Sequence, residues 1–242
     1  MSIRAIQSDG ILELFKKLYN DFNIDDMDVA RLEMAYMPYF RFDDKPKCLI
    51  RCITKMPELF IEFISIVCKH DDNEEETIPP ESENVFRNAR YVLDKLNEIP
   101  GCSANLINED VFINWMQRAN QIASESGYTK AFECYAGKLL SYSPVGNDGV
   151  FPHEIIRSYL ESNSSEPLFN NFIAEKRNQR GVHYATWGAE EKLIAQEYKD
   201  AASSIRIKYP KTASVLNKLC ECYSDESRQG QMMEYGDFSH GY

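Results

Sequence analysis

The sequence predicts an all-α fold: stacked antiparallel helical hairpins in an irregular helical-repeat-like array, ending in a long two-helix hairpin. Three observations carry this. Apolar residues recur at spacings of three and four along nearly all of the 242 residues, the period of an amphipathic helix. Alternating β-type runs are nearly absent, with Val182-His183-Tyr184-Ala185 as the one short candidate. Cap residues, prolines and glycines interrupt the apolar stripes at short intervals, so consecutive helices are joined by short loops and pack as antiparallel neighbours. No strict repeat period recurs, so a regular solenoid is not predicted.

The elements follow in order. Ile11, Leu12, Phe15 and Leu18 form a first stripe after a Ser8-Asp9 start signal. Val29, Leu32, Tyr36, Tyr39 and Phe40 form a second, opened by Asp25-Asp26, which suit an N-cap and a first turn. Pro46 and Pro57 each fit the first position of a helix, where the missing N–H costs nothing. Leu59, Phe60, Phe63, Ile64 and Val67 line the most apolar helix. The run Asp71-Asp72-Asn73-Glu74-Glu75-Glu76 with Pro79-Pro80 then predicts a solvated, mobile loop over 71–82. It lacks the glycine and terminal glutamate of a calcium loop.

Helices resume with Val85, Ala89, Val92, Leu93 and Leu96, and Pro100-Gly101 closes that element. Asn108 is an N-cap for the stripe Phe112, Trp115, Met116, Ala119, Ile122 and Ala123, which Gly127 stops. Phe132, Tyr135, Ala136, Leu139 and Leu140 follow, then a turn-rich loop over 143–149. Short helices begin near Pro152 and after Ser164-Ser165-Glu166-Pro167, the latter with Leu168, Phe169, Phe172 and Ile173 on one side. The last two helices are the longest, one carrying Ile194, Tyr198, Ala201, Ala202 and Ile205, the other Ala213, Leu216, Leu219, Cys220 and Tyr223 after Pro210. The chain therefore reads as an N-terminal helical part (1–70), the acidic loop (71–82), a C-terminal helical part (83–229) and a tail (230–242), forming one continuous unit.

Composition narrows the function classes. A chain of this length can bury roughly 70% of its unfolded surface and needs no staples. The net charge is −11, from 38 acidic and 27 basic residues, so direct binding of duplex nucleic acid is disfavoured. The seven cysteines have no framework spacing and suit a reducing compartment. No run approaches a membrane span, and the first ten residues lack a signal-peptide core. The expected location is cytoplasmic, without membrane association.

No catalytic centre is visible. None of His70, His153, His183 and His240 pairs with a cysteine or another histidine at zinc spacing. Cys48 and Cys52 share a helix face, as core cysteines do; Cys220 and Cys222 point to different sides. Nucleotide-binding glycine loops and hydrolase signatures are absent, and a Cys102–His153 nucleophile pair has nothing behind it beyond the presence of both residues. No cofactor, metal or catalytic residue is assigned. Glu190, Glu191 and Glu197 with Lys192 and Lys199 read as solvated ion-pair positions.

One loop is locally basic and aromatic: Arg177, Arg180, His183, Tyr184 and Trp187 fall within eleven residues. Tyr, Trp and Arg are the residue types that dominate binding hot spots, and paired arginines grip phosphate or carboxylate. The structural alternative is that Gly181 stops a helix in a left-handed conformation while the arginines neutralise its carbonyl end and pair with nearby acids.

Several segments together resemble the C-terminal region of very large bacterial helical-repeat proteins. They are Leu32-Glu33-Met34-Ala35-Tyr36-Met37-Pro38, Pro57-Glu58-Leu59-Phe60-Ile61-Glu62 and Ala89-Arg90-Tyr91-Val92-Leu93-Asp94, then Asn178-Gln179-Arg180-Gly181-Val182, Tyr209-Pro210-Lys211-Thr212-Ala213 and Tyr223-Ser224-Asp225-Glu226-Ser227-Arg228. The resemblance implies a terminal piece, or a separate version, of a larger assembly, with a non-catalytic role in binding another protein or as a scaffold. It brings no catalytic residues. An accessory or regulatory subunit of a nucleic-acid-acting or phage-defence system is the second reading, and an unrecognised hydrolase the third.

Overall fold

Eleven α-helices, one 3₁₀ turn and a two-stranded hairpin make up the described residues of the computed structural model, which are 3–21, 23–40, 44–72, 83–181 and 188–237, with side chains described from 10 to 232. The fold is all-α, as the periodicity predicts. No helix among these residues is long and apolar enough to cross a membrane. The helices are α1 (Ile3–Leu18), α2 (Asp26–Tyr36), α3 (Lys47–Lys55), α4 (Pro57–Val67), α5 (Glu83–Lys95), α6 (Glu109–Glu125), α7 (Thr129–Leu140), α8 (Glu154–Ser162), α9 (Glu166–Asn178), α10 (Ala189–Ile205) and α11 (Pro210–Asp237). The chain divides into two compact units, Met1–Phe132 and Glu133–Tyr242.

In the N-terminal unit, α2 packs on α3, α3 on α4, and α4 on both α5 and α6. Ile50, Ile53, Phe60, Ile64, Val92, Phe112 and Met116 are fully buried there. The Phe60 ring lies 5.2 Å from Trp115 and 6.4 Å from Phe132. Trp115 also donates its indole N–H to the Ile53 carbonyl at 3.1 Å, giving its one polar atom a partner inside the core. Local start signals behave as the sequence reading expects at Asp25, which accepts from Met27 N, and at Asn108, which accepts from Val111 N. Pro57 opens α4, but Pro46 stands one residue before α3. The first helix begins ahead of Ser8-Asp9, so that signal lies inside α1.

Helix α2 departs from the expected phase. Of its expected inner stripe Val29 is buried, but Leu32, Tyr36 and Tyr39 are exposed, and Ala30, Glu33 and Met37 are buried instead. The reason is Glu33, a carboxylate with no exposed surface. It accepts hydrogen bonds from the backbone N–H groups of Cys48 (3.1 Å) and Leu49 (2.7 Å) and from the Tyr19 hydroxyl (2.7 Å). Cys48 and Leu49 are the second and third residues of α3, whose preceding Pro46 provides no side-chain cap. A carboxylate from α2 thus does for α3 what an N-cap residue does elsewhere. Burial pushes the Glu33 carboxyl above its usual range, while its three donors oppose that shift. Beside it, Asp26 takes Arg51 at 2.5 Å and Lys55 at 3.0 Å.

After α4 the chain turns back onto the end of α6. His70 lies over Gly127, which holds the left-handed φ of +73°, and its ring meets Tyr128 edge-on at 5.5 Å. Asp71 N donates to the Gly127 carbonyl at 2.8 Å. The rest of the expected mobile loop, residues 73–82, lies outside the described residues. A feature not anticipated from sequence is the small hairpin Cys102–Ser103 with Leu106–Ile107, turned by Ala104 and Asn105 at φ of +49° and +65°.

In the C-terminal unit, α10 and α11 pack along each other as the terminal two-helix hairpin, and α11 also meets α8 and α9. With 28 residues α11 is the longest helix, whereas α10 and α6 both have 17. Ile156, Leu160, Phe172, Leu216 and Leu219 form the floor. Two glycines permit close backbone approach. A Cβ at Gly137 in α7 would overlap the Leu168 carbonyl oxygen, and one at Gly188 would overlap the Ser227 carbonyl oxygen. Gly188 is also left-handed, at φ +84°, and its own carbonyl accepts from Ser227 Oγ at 2.7 Å. It therefore fixes how the start of α10 meets α11.

Two stability measurements follow from this packing. Phe63→Ala lowers the unfolding free energy by about 3–5 kcal/mol in a denaturant melt, as truncation of a buried aromatic does; a loss below ~1 kcal/mol would show that its face is not core. Gly188→Ala meets both left-handed strain and the Ser227 backbone, and costs ~2 kcal/mol or more. Gly149→Ala is the control, since Gly149 has φ +77° with nothing within 4 Å of the added carbon. Equal losses at the two positions would mean that close approach contributes nothing.

Candidate functional site

The 143–153 segment and the surface it forms with α9 and α10 are organised by Arg157, whose side chain is 1% exposed. Arg157 Nη1 and Nη2 donate to the two carboxylate oxygens of Asp148 at 2.6 and 2.8 Å. Its Nε donates to the Pro152 carbonyl at 2.5 Å, and Nη2 also reaches the Val150 carbonyl. The guanidinium lies 5.6 Å from the centroid of the Tyr209 ring. A bidentate carboxylate with two backbone acceptors is the arrangement that lets a guanidinium be buried. The guanidinium holds the Asp148 carboxyl down to about 2. His153 completes the turn: its backbone N–H donates to Ser143 Oγ at 2.9 Å, and its imidazole Nδ1 accepts from Ile155 N at 3.3 Å, capping α8.

Held in this way, Val145, Val150 and Phe151 form one wall of a cleft of about 670 Å³. Ile194, Tyr198 and Ala201 of α10 form the opposite wall, and Lys176 of α9 reaches into it. That volume lies within the range of roughly 300–1,000 Å³ usual for ligand clefts. Phe151 is the centre of an aromatic group, with ring centroids 6.0 Å from Phe172 and 6.4 Å from Tyr198. Tyr198 stacks in turn on Tyr223 at 5.8 Å. Burial raises the Tyr198 phenol above its usual range, so its hydroxyl stays protonated. Glu197 and Asp200 stand on the exposed rim, with Val145 half exposed beside them.

Lys176 is the one cation lining this cleft. Its Nζ lies 4.2 Å from the Phe151 ring centroid and donates to the Ser141 carbonyl at 3.3 Å and to Gln179 Oε1 at 3.1 Å. Gln179 is itself oriented by donating Nε2–H to Ser141 Oγ at 2.7 Å. No ion pair among the described residues reaches Lys176, and burial lowers its ammonium below the usual lysine range with no carboxylate opposing the shift. The result is a cation held by neutral acceptors and an aromatic face, in an apolar cleft.

The loop singled out from sequence is only partly described. Arg177 pairs with Glu226 of α11 at 2.5 Å, its side chain 43% exposed. Arg180 pairs with Glu190 at 2.9 Å and Glu191 at 2.6 Å at the start of α10. Glu191, expected as a solvated position, is thereby buried. Gly181 follows at φ +66°. His183, Tyr184 and Trp187 lie outside the described residues. Lys176, Phe151, Arg157 and Glu33 belong to none of the motifs that the sequence offers as a site. For Lys176 and Arg157 a signal exists: each continues an apolar helical stripe, Lys176 four residues after Phe172 and Arg157 beside Ile156 and Leu160. A charge at a core register position marks either a surface edge or a buried polar centre, and only its partners tell which.

The Cys48 thiol is pushed up to about 12 by burial, and burial raises Cys52, Cys102 and Cys134 too, the opposite of a nucleophilic thiolate. Among the described residues no group of three or more His, Cys, Asp or Glu side chains could hold a metal ion. A second cleft of about 630 Å³, lined by Tyr19, Asp26, Cys48, Arg51 and Lys55, is polar, and its cations are already paired with Asp26. The chain matches no protein-family model, no curated protein and no solved structure.

The Asp148–Arg157 pair gives the cleft wall a pH dependence of known sign. A carboxyl with a depressed folded pKa stabilises above its unfolded value, near 3.9, and loses that contribution as pH falls through its folded value. Asp148→Asn therefore lowers Tm at pH 6, and the gap from the unsubstituted protein narrows as pH falls from about 5 toward 2. A gap that stays constant over that range would show that the pair contributes no charge-dependent stability.

Proposed function

We propose that this chain is a non-catalytic protein-interaction module whose C-terminal unit holds a partner by an apolar side chain seated against Phe151 and Tyr198 in the cleft. The observation that carries the reading is the cleft itself, with apolar walls, an aromatic centre and a carboxylate rim at Glu197 and Asp200. Clefts of this kind accept an aromatic or aliphatic anchor, and the anchor supplies most of the binding energy. The rim carboxylates and the overall charge of −11 favour a partner segment with basic residues flanking the anchor, through steering and rim complementarity. A scaffold role in a bacterial multi-component system is what the motif resemblance adds. Arg177 and Tyr184 remain a second contact region within the same reading.

Ile194→Asp tests it by placing a charge on the cleft wall at a partly exposed position that should spare the fold. After nuclease treatment, affinity capture from the native host should retain a protein partner with the unsubstituted chain and lose it with Ile194→Asp, at unchanged Tm. Identical capture by both chains, or capture that disappears with nuclease, would overturn the reading, the latter in favour of a nucleic-acid-linked role.

A further inference from the structure

The ammonium of Lys176 is the part of the cleft that the apolar anchor does not explain. Lysine is an uneconomical choice for filling apolar space, because transferring its charge out of water is costly unless an anion or several acceptors compensate. Here the compensation is partial: two neutral oxygens, one at 3.3 Å, and the face of Phe151. The carboxylates that line the cleft, Glu197 and Asp200, form no ion pair with it and do not contribute to its pKa shift. Glu175, next to it in sequence, is taken by the Tyr142 hydroxyl. The cation thus lines the same cleft as the anchor and is paired with neither rim carboxylate.

We propose that the cleft recognises the C-terminal residue of its partner, taking an apolar side chain against Phe151, Ile194 and Tyr198 and pairing the free α-carboxylate with Lys176. This rests on the interaction reading above and gives it a chemical identity. The charges fit one orientation. The terminal carboxylate meets the inner cation, and basic residues upstream in the partner meet Glu197 and Asp200 as the chain leaves the cleft. A charge-assisted hydrogen bond to carboxylate in a partly desolvated setting is about twice as strong as a neutral one, and it supplies the anion that Lys176 lacks. Lys176 does this work as a point charge, needing no bidentate geometry.

The test uses N-acetyl-Arg-Gly-Phe with a free C-terminus, the same peptide as its C-terminal amide, and 3-phenylpropionate, each titrated against the full chain and followed by saturation-transfer NMR. The free acid should bind at least tenfold more tightly than the amide, and the difference should shrink with added salt. Lys176→Met should abolish the difference and Lys176→Arg should keep most of it, with Tm confirming that both variants fold. Ile194→Asp should abolish binding of both peptides. Equal binding of acid and amide, sensitive to Ile194→Asp, would overturn carboxylate recognition and leave the interaction reading standing. Binding of 3-phenylpropionate as tight as that of the peptide would overturn the assignment to a protein terminus, in favour of a small free acid. No binding of any probe at millimolar concentration would overturn both this proposal and the anchor cleft.

Discussion

The burial of the Arg157 guanidinium is the interaction on which the C-terminal unit depends. With 1% of its side chain exposed, it must find acceptors inside the protein, and it finds them in Asp148, Val150 and Pro152. All three lie in the segment before α8, so satisfying one charge on the helix folds the loop that precedes it. That loop carries Phe151, and Phe151 is the point at which Phe172, Tyr198 and Lys176 meet. Thr212 of α11 and Tyr209 before it pack against the same turn of α8. Removing the guanidinium would take its donor from the Pro152 carbonyl and leave Asp148 and the Val150 carbonyl with only the backbone N–H groups of Val150 and Gly146, a larger loss than the contact alone.

The N-terminal unit uses the same strategy with the opposite sign. Glu33 is buried on α2 and terminates the N–H groups of α3, so a helix start without a cap residue becomes a tertiary joint. Asp26 binds α3 a second time through Arg51 and Lys55. Each unit therefore contains a buried charge whose partners come from a different element, and such a charge specifies which elements pair more strictly than apolar contact does. Apolar surfaces tolerate rotation and sliding; a carboxylate aimed at two backbone N–H groups does not.

These two networks are closed, with donors and acceptors matched internally. Lys176 is the contrast. It is half-buried, is answered by neutral oxygens and a ring, and lines a cleft instead of packed protein. Arg180 is a cation of the same unit that does have anions beside it, with two glutamates drawn to it at the start of α10. Fully paired charges read as architecture, whereas a cation left short of an anion beside an apolar cavity reads as a place for something else to bind.

The sequence by itself determined the helical class, the order of the helices and most of their ends. These are local properties: period, cap residues at Asp25 and Asn108, and the left-handed glycine at Gly127. It also placed the inner faces of α4, α6 and α7 correctly, because their stripes are wholly apolar. It failed where a charged residue occupies a core position. On α2 the apolar Leu32, Tyr36 and Tyr39 drew the predicted stripe outward while Glu33 went in, and in the C-terminal unit Lys176 and Arg157 were passed over for the more conspicuous cluster from Arg177 to Trp187. Only tertiary structure decided these cases, because whether a charge can be buried depends on partners that sequence does not place beside it. Asp148 lies nine residues before Arg157, and Ser141 lies 35 before Lys176; it is the fold that brings each pair within hydrogen-bond reach and leaves the cleft beside them.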